Sequence, residues 1–364
     1  MLIGVAILVA LVLAAGLGGW FYINSVLSSI TRFPVAGITP ETSGAPIDIL
    51  LIGSDSRKFV SDPGQVAAYG NPLTQTGQRS DVIIVLRLVP KTHQIEMLSI
   101  PRDTYVPIPG TGGSNRINAA FNTGPSVLVK TIQQNFGIPI NHVVVANFPG
   151  FQAVVNSLGG ISLDFPDPLR DQFSGLNVTT LGCQTVKGAT ALALVRSRHL
   201  YYFEKGAWNS DGMSDWSRIQ RQQAFFHAVI DKANSEDLNP LAMNSFLNAT
   251  AHDLQVDAGF SPHEMISLGL GFRGVASSSL VTKVLPTYGA VIGGNDVLIA
   301  AQPYARQMVS SFLAVGSSPG STSTTQLATT TTTTSGATTT TVPPDQVVFD
   351  NPKTLPEPWN PKPC

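Results

Sequence analysis

The stretch RSDVIIVLRLVPKTHQIEMLSIPRD, residues 79–103, constrains the fold more than any other part of the chain. VIIVLRLV (82–89) and QIEMLSI (94–100) are apolar, β-rich runs of strand length, and the VPKTH between them reads as a turn. Residues 82–100 are therefore expected to form a hairpin. Antiparallel pairing sets the start of one strand beside the end of its partner. Asp81 at the entrance and Arg102 at the exit should then be neighbours in space.

IDILLIG (47–53) and HVVVANF (142–148) read as further strands. GPSVLVKTIQQNF reads as a helix with Pro125 at its first position. GFQAVVNSLGG is a short helix stopped by Gly159, and SPHE (261–264) is a helix start with Ser261 as N-cap and Glu264 three residues on. Strands alternating with helices indicate a three-layer α/β domain.

Composition excludes some functions. With 22 basic and 23 acidic residues the chain has no charge excess for a general nucleic-acid binder. Only 12% of its 364 residues are charged, beside 33 glycines and 26 prolines, which is unusual for a cytosolic enzyme. The two cysteines, Cys183 and Cys364, lie far apart with no CxxC or Cys/His cluster, so no zinc site is expected from spacing.

Residues 1–31 carry no charged side chain. LIGVAILVALVLAAGLGGWFYI provides roughly 20 apolar positions, enough to cross a ~30 Å hydrocarbon layer as a helix, with Trp20 and Tyr22 at its end. A cleaved leader is the alternative, given the small residues of LAAGLGG; the missing basic n-region and the length of the run favour an uncleaved anchor. Residues 32–46 read as a stem and 47–316 as the globular domain. Residues 317–344, with ATTTTTTSGATTTT, have too few large apolar side chains to offset ordering entropy and are expected to be a disordered stalk. The tail 345–364 recovers Phe349 and Trp359 among prolines and ends in Cys364.

Charged residues gather at the strand ends, the usual place for chemistry in open α/β sheets. LLIGSDSR puts Asp55 and Arg57 after the first strand, while Arg79, Asp81, Arg102 and Asp103 flank the hairpin. ALALVRSRHLYY (191–202) adds Arg196 and Arg198. DWSRIQRQQ adds Arg218, Arg221 and Gln222 on one helix face, with Ile219, Phe226 and Ile230 as the expected buried stripe. Arginine forks bind phosphate oxygens, and paired acids tolerate a phosphate when Mg²⁺ lies between them. Each residue alone is also consistent with a turn, a solvated face or a local ion pair.

Together, DILLIGSDSR, RSDVIIVLRLVPKTHQIEMLSIPRDTYV, RINAAF, NFPGFQAVVNSLGGISLDFP, GATALALVRSRH and DWSRIQRQQ resemble, in order, the LytR–CpsA–Psr family of cell-wall glycopolymer ligases. The resemblance is strong over 47–235 and weak to about 313. It implies a three-layer α-β-α sandwich with a mixed central sheet. It implies a membrane-anchored, single-pass phosphotransferase on the exterior face. Such an enzyme moves a glycopolymer phosphate from a polyprenyl-pyrophosphate carrier to a muramic-acid hydroxyl of peptidoglycan, with Mg²⁺ as cofactor.

By motif position, Asp55 and Asp81 correspond to the Mg²⁺-associated acids. Arg102, Arg196, Arg198 and Arg218 correspond to the pyrophosphate-binding arginines. Arg57, Arg79, Asn118, Arg221 and Gln222 stand beside them, with roles the motifs define less closely. Asp81 or Asp103 would accept the attacking hydroxyl's proton. The alternative function is a non-catalytic polyprenyl-pyrophosphate-binding regulator; a wall adhesin is suggested by the Thr-rich stretch alone.

Two departures stand out: a Gly/Gln/Asn-rich insertion at 58–78, and LYYFEKGAWNSDGMS, which separates the arginine pair from Arg218 and weakens that assignment. In an oxidising exterior Cys183 and Cys364 are expected to pair, with free or intermolecularly paired thiols as the alternative. On a helix Arg196 and Arg198 would lie about 200° apart. The helix of GATALALV is therefore expected to end near Val195, leaving RSR extended with both guanidiniums turned into the site.

Overall fold

In the computed structural model, residues 19–54, 80–212, 214–234, 240–317 and 361–364 are described. The hairpin forms as expected, from β3 (Ser80–Val89) and β4 (Gln94–Ser99), in register from Ile84 opposite Ser99 to Val89 opposite Gln94. It lies inside a mixed seven-stranded sheet. The other strands are β1 (Thr31–Phe33), β2 (Ile47–Ser54), β7 (His142–Ala146), β14 (Leu254–Asp257) and β15 (Leu280–Val284). Their spatial order is β1-β14-β7-β2-β3-β4-β15. β2 is antiparallel to β3 and parallel to β7, so the C-terminal ends of β2 and β7 meet the start of β3 at one edge.

Side chains alternate across this sheet with period two. Leu50, Ile52, Ile83, Val85, Val143 and Val145 face the helices Pro125–Phe136 and Tyr304–Ala314, where Leu128, Ile132 and Phe312 complete a closed core. A buried fork ties the last helix to the sheet. Arg87 Nη1 reaches both oxygens of Asp48, at 2.9 and 2.7 Å, while Nη2 donates to the Leu313 carbonyl at 3.0 Å. Burial pushes the Asp48 carboxyl up to about 6, against the pull of Arg87.

The opposite face carries the helices Phe148–Ser157, Gly188–Arg196, Asp215–Asn234, Pro240–Asp253 and Pro262–Gly271. Expected boundaries hold closely. Pro125 occupies the first helical turn, Asn147 rather than a strand residue caps the helix at Phe148, and Gly159 follows its end at φ +78. Ser261 and Glu264 form a full capping box. Gly188 lies against the backbone of Gln152, so that any side chain there would separate two neighbouring helices.

Smaller sheets dress the site side. β9 (Leu169–Asp171), β10 (Leu176–Val178), β12 (Tyr201–Glu204) and β13 (Ala207–Ser210) form one, in the order β10-β9-β12-β13. β8 (Ile161–Phe165) pairs with β11 (Gly182–Val186) and with β18 (Lys362–Pro363). A Cys183–Cys364 disulfide, the pairing expected from the sequence, joins β11 to the segment that carries β18. Hairpins β5 (Tyr105–Ile108) with β6 (Gly113–Arg116), and β16 (Thr287–Ile292) with β17 (Asn295–Ala300), complete the fold.

The stretch read as a stem supplies most of β1, which pairs in parallel with β14 at the sheet edge. Among the described residues no helix is long and apolar enough to cross a membrane. Residues 1–18 of the expected anchor lie outside the described residues. The helix over 19–28 and its exit lay Leu27 and Ile30 on the sheet beside Ile47 and Ile49. The insertion 58–78, the Thr-rich segment after Ser317 and Phe349 and Trp359 of the tail also lie outside the described residues.

Candidate active site

Five arginines are placed by elements that the sequence folds for separate reasons. Arg102 follows β4 across Pro101, and its Nη1 bonds Asp81 Oδ1 at the start of β3, as the hairpin register requires. Arg196 is the last residue of its helix, one residue beyond the expected end at Val195. Ser197 then turns extended, at φ −59 and ψ 127, and carries the chain to Arg198.

Three side chains hold that exit. Gln222 Nε2 donates to the Val195 carbonyl at 3.0 Å and Arg221 Nη2 to the Ser197 carbonyl at 2.7 Å, satisfying carbonyls that a helix end leaves open. Asp171, at the end of β9, accepts from Ser197 Oγ at 2.7 Å and from the Arg198 and His199 N–H groups, each at 3.0 Å. Burial alone would raise the Asp171 pKa; the Ser197 hydroxyl and the N–H groups of His199, Phe173 and Ser174 hold it below the usual carboxylate range.

Arg221, named beside the pyrophosphate-binding arginines, does not reach the mouth. It is fully buried, bound to Asp211 at 3.2 Å and to Ser197, outside the cavity described below. The helix face that carries Arg218, Arg221 and Gln222 is buried, since these three, Trp216, Ser217 and Ile219 are all enclosed, which rules out the solvated-face alternative. Phe226 and Ile230, expected in the buried stripe, are only partly covered. The inserted segment does not displace Arg218. It folds back on itself as β12–β13, with the Asp211 N–H returning to the Leu200 carbonyl at 3.0 Å.

Asp215, which the sequence reading passed over, is the centre of the cluster. Its carboxylate pairs with Arg198, with Arg218 at 3.3 Å and with Arg102 at 3.6 Å. At ~5 Å and an effective dielectric of ~20, each pair of guanidiniums repels by ~3 kcal/mol. Asp215 offsets this by pairing with all three, and Asp81 and Asp103 add to that offset at Arg102. Burial would raise the Asp215 pKa, but Arg218, Arg102 and Arg198 bring it below the ordinary value. Burial pulls Arg218 down to about 10, opposed by Asp215, which still leaves it charged at neutral pH. Arg102 goes the other way: burial would lower it, yet Asp81, Asp215 and Asp103 raise it. Arg218 Nε is buried without a hydrogen-bond acceptor among the described residues. A desolvated donor of this kind suits an anionic ligand.

Behind this mouth the open face of the sheet holds a cavity of about 460 Å³. Its walls are apolar: Leu51, Val82, Ile84 and Val144 from the sheet, with Phe148, Phe151, Val154, Phe225, Phe226 and Val229 from two helices. Val144, Phe148, Phe151 and Val154 come from residues 142–155, and Phe225, Phe226 and Val229 from residues 225–230. Asp81, Arg102, Arg196, Arg198, Arg218 and Gln222 line the same cavity. Arg196 lies over the Phe148 ring at 4.2 Å, a cation held by an aromatic face.

Not every candidate converges. Asp103 pairs with Arg102 at 3.5 Å and with Arg116 at 3.6 Å, but opens into a second groove of about 480 Å³ with Asp215, Trp216, Asp296 and Leu298 rather than into the cavity. Arg198 lines both spaces. Asn118 is buried outside the cavity; its backbone N–H donates to the Arg102 carbonyl at 3.1 Å, so it steadies the loop that aims Arg102. Asp55, Arg57 and Arg79 lie outside the described residues.

The site is thus an apolar chamber with an arginine mouth on a mixed α/β sheet. The LytR_cpsA_psr family model matches residues 28–312, and the chain belongs to that family. It is 31% identical to the probable cell wall biosynthesis protein LcpB of Corynebacterium glutamicum, over 76% of this chain and 64% of that one. It is 30% identical to the polyisoprenyl-teichoic acid–peptidoglycan teichoic acid transferase TagU of Enterococcus faecalis, over 61% of this chain and 65% of that one. The chain thus spans less than two thirds of either relative's length. Among solved structures, a LytR-Csp2A-Psr enzyme from Actinomyces oris superposes with TM-score 0.61 at 25% identity, covering 80% of this chain and 97% of the other. TagV of B. subtilis superposes with TM-score 0.57 at 26% identity, over 74% and 96%.

Proposed function

We propose that the chain is a phosphotransferase that moves a glycopolymer phosphate from a polyprenyl-pyrophosphate carrier onto a hydroxyl of peptidoglycan. It would act as a single-pass membrane protein on the exterior face. The observation that carries this reading is the continuity of the apolar cavity with Arg102, Arg196, Arg198 and Arg218. The prenyl chain fills the cavity and the pyrophosphate sits at its mouth. Relatives whose names specify polyisoprenyl-linked teichoic acid and peptidoglycan support the same donor and acceptor classes.

In the reaction the acceptor oxygen forms a bond to the glycan-side phosphorus. The bond from that phosphorus to the bridging oxygen breaks, and polyprenyl phosphate departs. Charge builds on the transferred and departing oxygens, so fixed guanidiniums stabilise the transition state more than the ground state. Arg102 and Arg218, braced by Asp215, do not have to reorganise as that charge forms. The second groove, which meets the cavity at Arg198, gives the acceptor its own approach. The hydroxyl's proton passes to a carboxylate at the junction, Asp81 from the cavity side or Asp103 from the groove side.

Asp81, a hard oxygen ligand whose side chain is 23% exposed beside the arginines, fits one half of a Mg²⁺ site. Asp55 would supply the other half. When bound, the cation would screen the carboxylates from the pyrophosphate and neutralise charge on it. The retained acids favour catalysis over a purely binding regulator, since anion capture alone is better without them.

The test is transfer from a lipid-pyrophosphate glycan to peptidoglycan by the full chain with Mg²⁺. Loss of transfer on EDTA treatment and in Asp81→Ala supports the mechanism. Transfer that survives either overturns it, and tight donor binding without transfer in the unmodified protein would establish the regulator instead.

A further inference from the structure

At the end of β7 away from the cavity, three distant parts of the chain meet around one buried imidazole. His142 is 4% exposed, and its Nδ1 lies 3.1 Å from Asp257 Oδ2. That carboxylate is fixed by the N–H groups of Val143 and Gly259, each at 2.9 Å. An ionised carboxylate only accepts, so Nδ1 carries the hydrogen. Phe260 stacks on the ring at 4.1 Å and fixes its plane.

Nε2 is then aimed at Glu41 Oε1, 2.7 Å away, and Glu264 Oε1, 3.6 Å away. The capping box uses the other Glu264 oxygen, which accepts from the Ser261 N–H at 3.2 Å and leaves Oε1 for the imidazole. The three ligand-type atoms lie within 4.8 Å of one another. In the tautomer that Asp257 selects, a nitrogen lone pair faces two carboxylates, a repulsion that a bound cation relieves.

We propose that His142 Nε2, Glu41 Oε1 and Glu264 Oε1 form a binding site for a divalent transition-metal cation of the zinc class, with water completing the coordination. One imidazole with two carboxylates suits zinc-like ions, whereas Mg²⁺ and Ca²⁺ take oxygen ligands. Zinc bonds of ~2.0–2.1 Å place tetrahedral ligand atoms ~3.4 Å apart, between the 2.7 and 3.6 Å that separate Nε2 from the two carboxylates. Asp257 supplies the carboxylate–histidine contact that orients metal-binding imidazoles. No sequence spacing announces the site, because it is assembled from the segment before β2, the start of β7 and the first turn of the helix Pro262–Gly271. The cation therefore pins the segment carrying Glu41 onto the domain, at the opposite end of β7 from the proposed transfer chemistry.

The test uses the full chain in detergent, stripped with chelator and kept in excess Mg²⁺, titrated with Zn²⁺ by calorimetry. One zinc per chain is expected, with a rise in thermal midpoint. Glu41→Gln, at an exposed position, and Glu264→Gln, which keeps a capping side chain, should each weaken binding at least tenfold. Bound Co²⁺ should give a visible spectrum that both variants lose. Absence of stoichiometric zinc overturns the proposal and leaves a proton on Nε2 as the balancing charge. Zinc binding unchanged in both variants places the metal elsewhere and equally overturns it.

Discussion

The two faces of the central sheet are built from the same apolar residue types to opposite ends. One face presents Leu50, Ile52, Val85 and Val143 to Leu128, Ile132 and Phe312, and closes completely. The other presents Leu51, Val82, Ile84 and Val144 to Phe151, Val154, Phe225 and Phe226, and stays hollow over about 460 Å³. Apolar composition is therefore no guide to which face is core. What separates them is what lies at the rim: arginines at the hollow face, and a sealed Arg87–Asp48 fork at the closed one. A cluster of like charges beside an unfilled apolar chamber favours binding over stability.

The largest expected effect is at the rim. Arg198→Ala should lower glycan transfer by about 10²–10³, as losing one transition-state donor does, with little change in unfolding midpoint because the side chain is 37% exposed. Transfer above a tenth of wild type would remove Arg198 from the clamp. Next come paired truncations. Leu128→Ala on the closed face should cost about 2–5 kcal/mol in urea unfolding. Phe151→Ala, on a wall that already borders empty space, should cost less than half the Leu128→Ala value while weakening carrier binding. Equal costs would mean that the hollow is packed in solution.

Asp171→Asn should cost about 2 kcal/mol at pH 7, the scale of hydrogen bonds to a buried charge. The sign with pH follows from its depressed pKa. Stabilisation is present above the unfolded value of about 3.9 and is lost as pH falls through the folded value, so the gap between wild type and variant should close in acid. A gap constant from pH 7 to pH 3 would show that the charge does not matter. The smallest stability effect is expected from filling the hollow: Val154→Phe should change stability by under about 1 kcal/mol yet reduce carrier binding. Ile132→Phe on the closed face should cost about 1–3 kcal/mol.

The sequence was legible where geometry is local. A hairpin turn fixes register, so Asp81 beside Arg102 followed from the order of residues alone. The capping box, Pro125 and Gly159 are likewise short-range signals. The extended exit to Arg198 followed from the need to turn two arginines the same way, though the helix runs one residue further before that exit. Long-range bonds were not legible. Asp171 supports Ser197 and Arg198 across 26 and 27 residues, and no spacing rule reports that. Helical periodicity put Arg218 and Arg221 on one face but could not say that the face was buried, nor that two neighbouring arginines would serve different ends. Asp215 was available as an i,i+3 partner of Arg218; its convergence with Arg102 and Arg198 needed the fold.

The Cys183–Cys364 bond makes everything between its ends part of one covalent ring. A protease that cuts once within that ring opens it without shedding mass. Nicked protein should migrate as a single full-mass species until a reductant is added, and only then resolve into two fragments. For a protein proposed to work outside the cell, damage in the Thr-rich stretch would leave β18 still fastened to the domain.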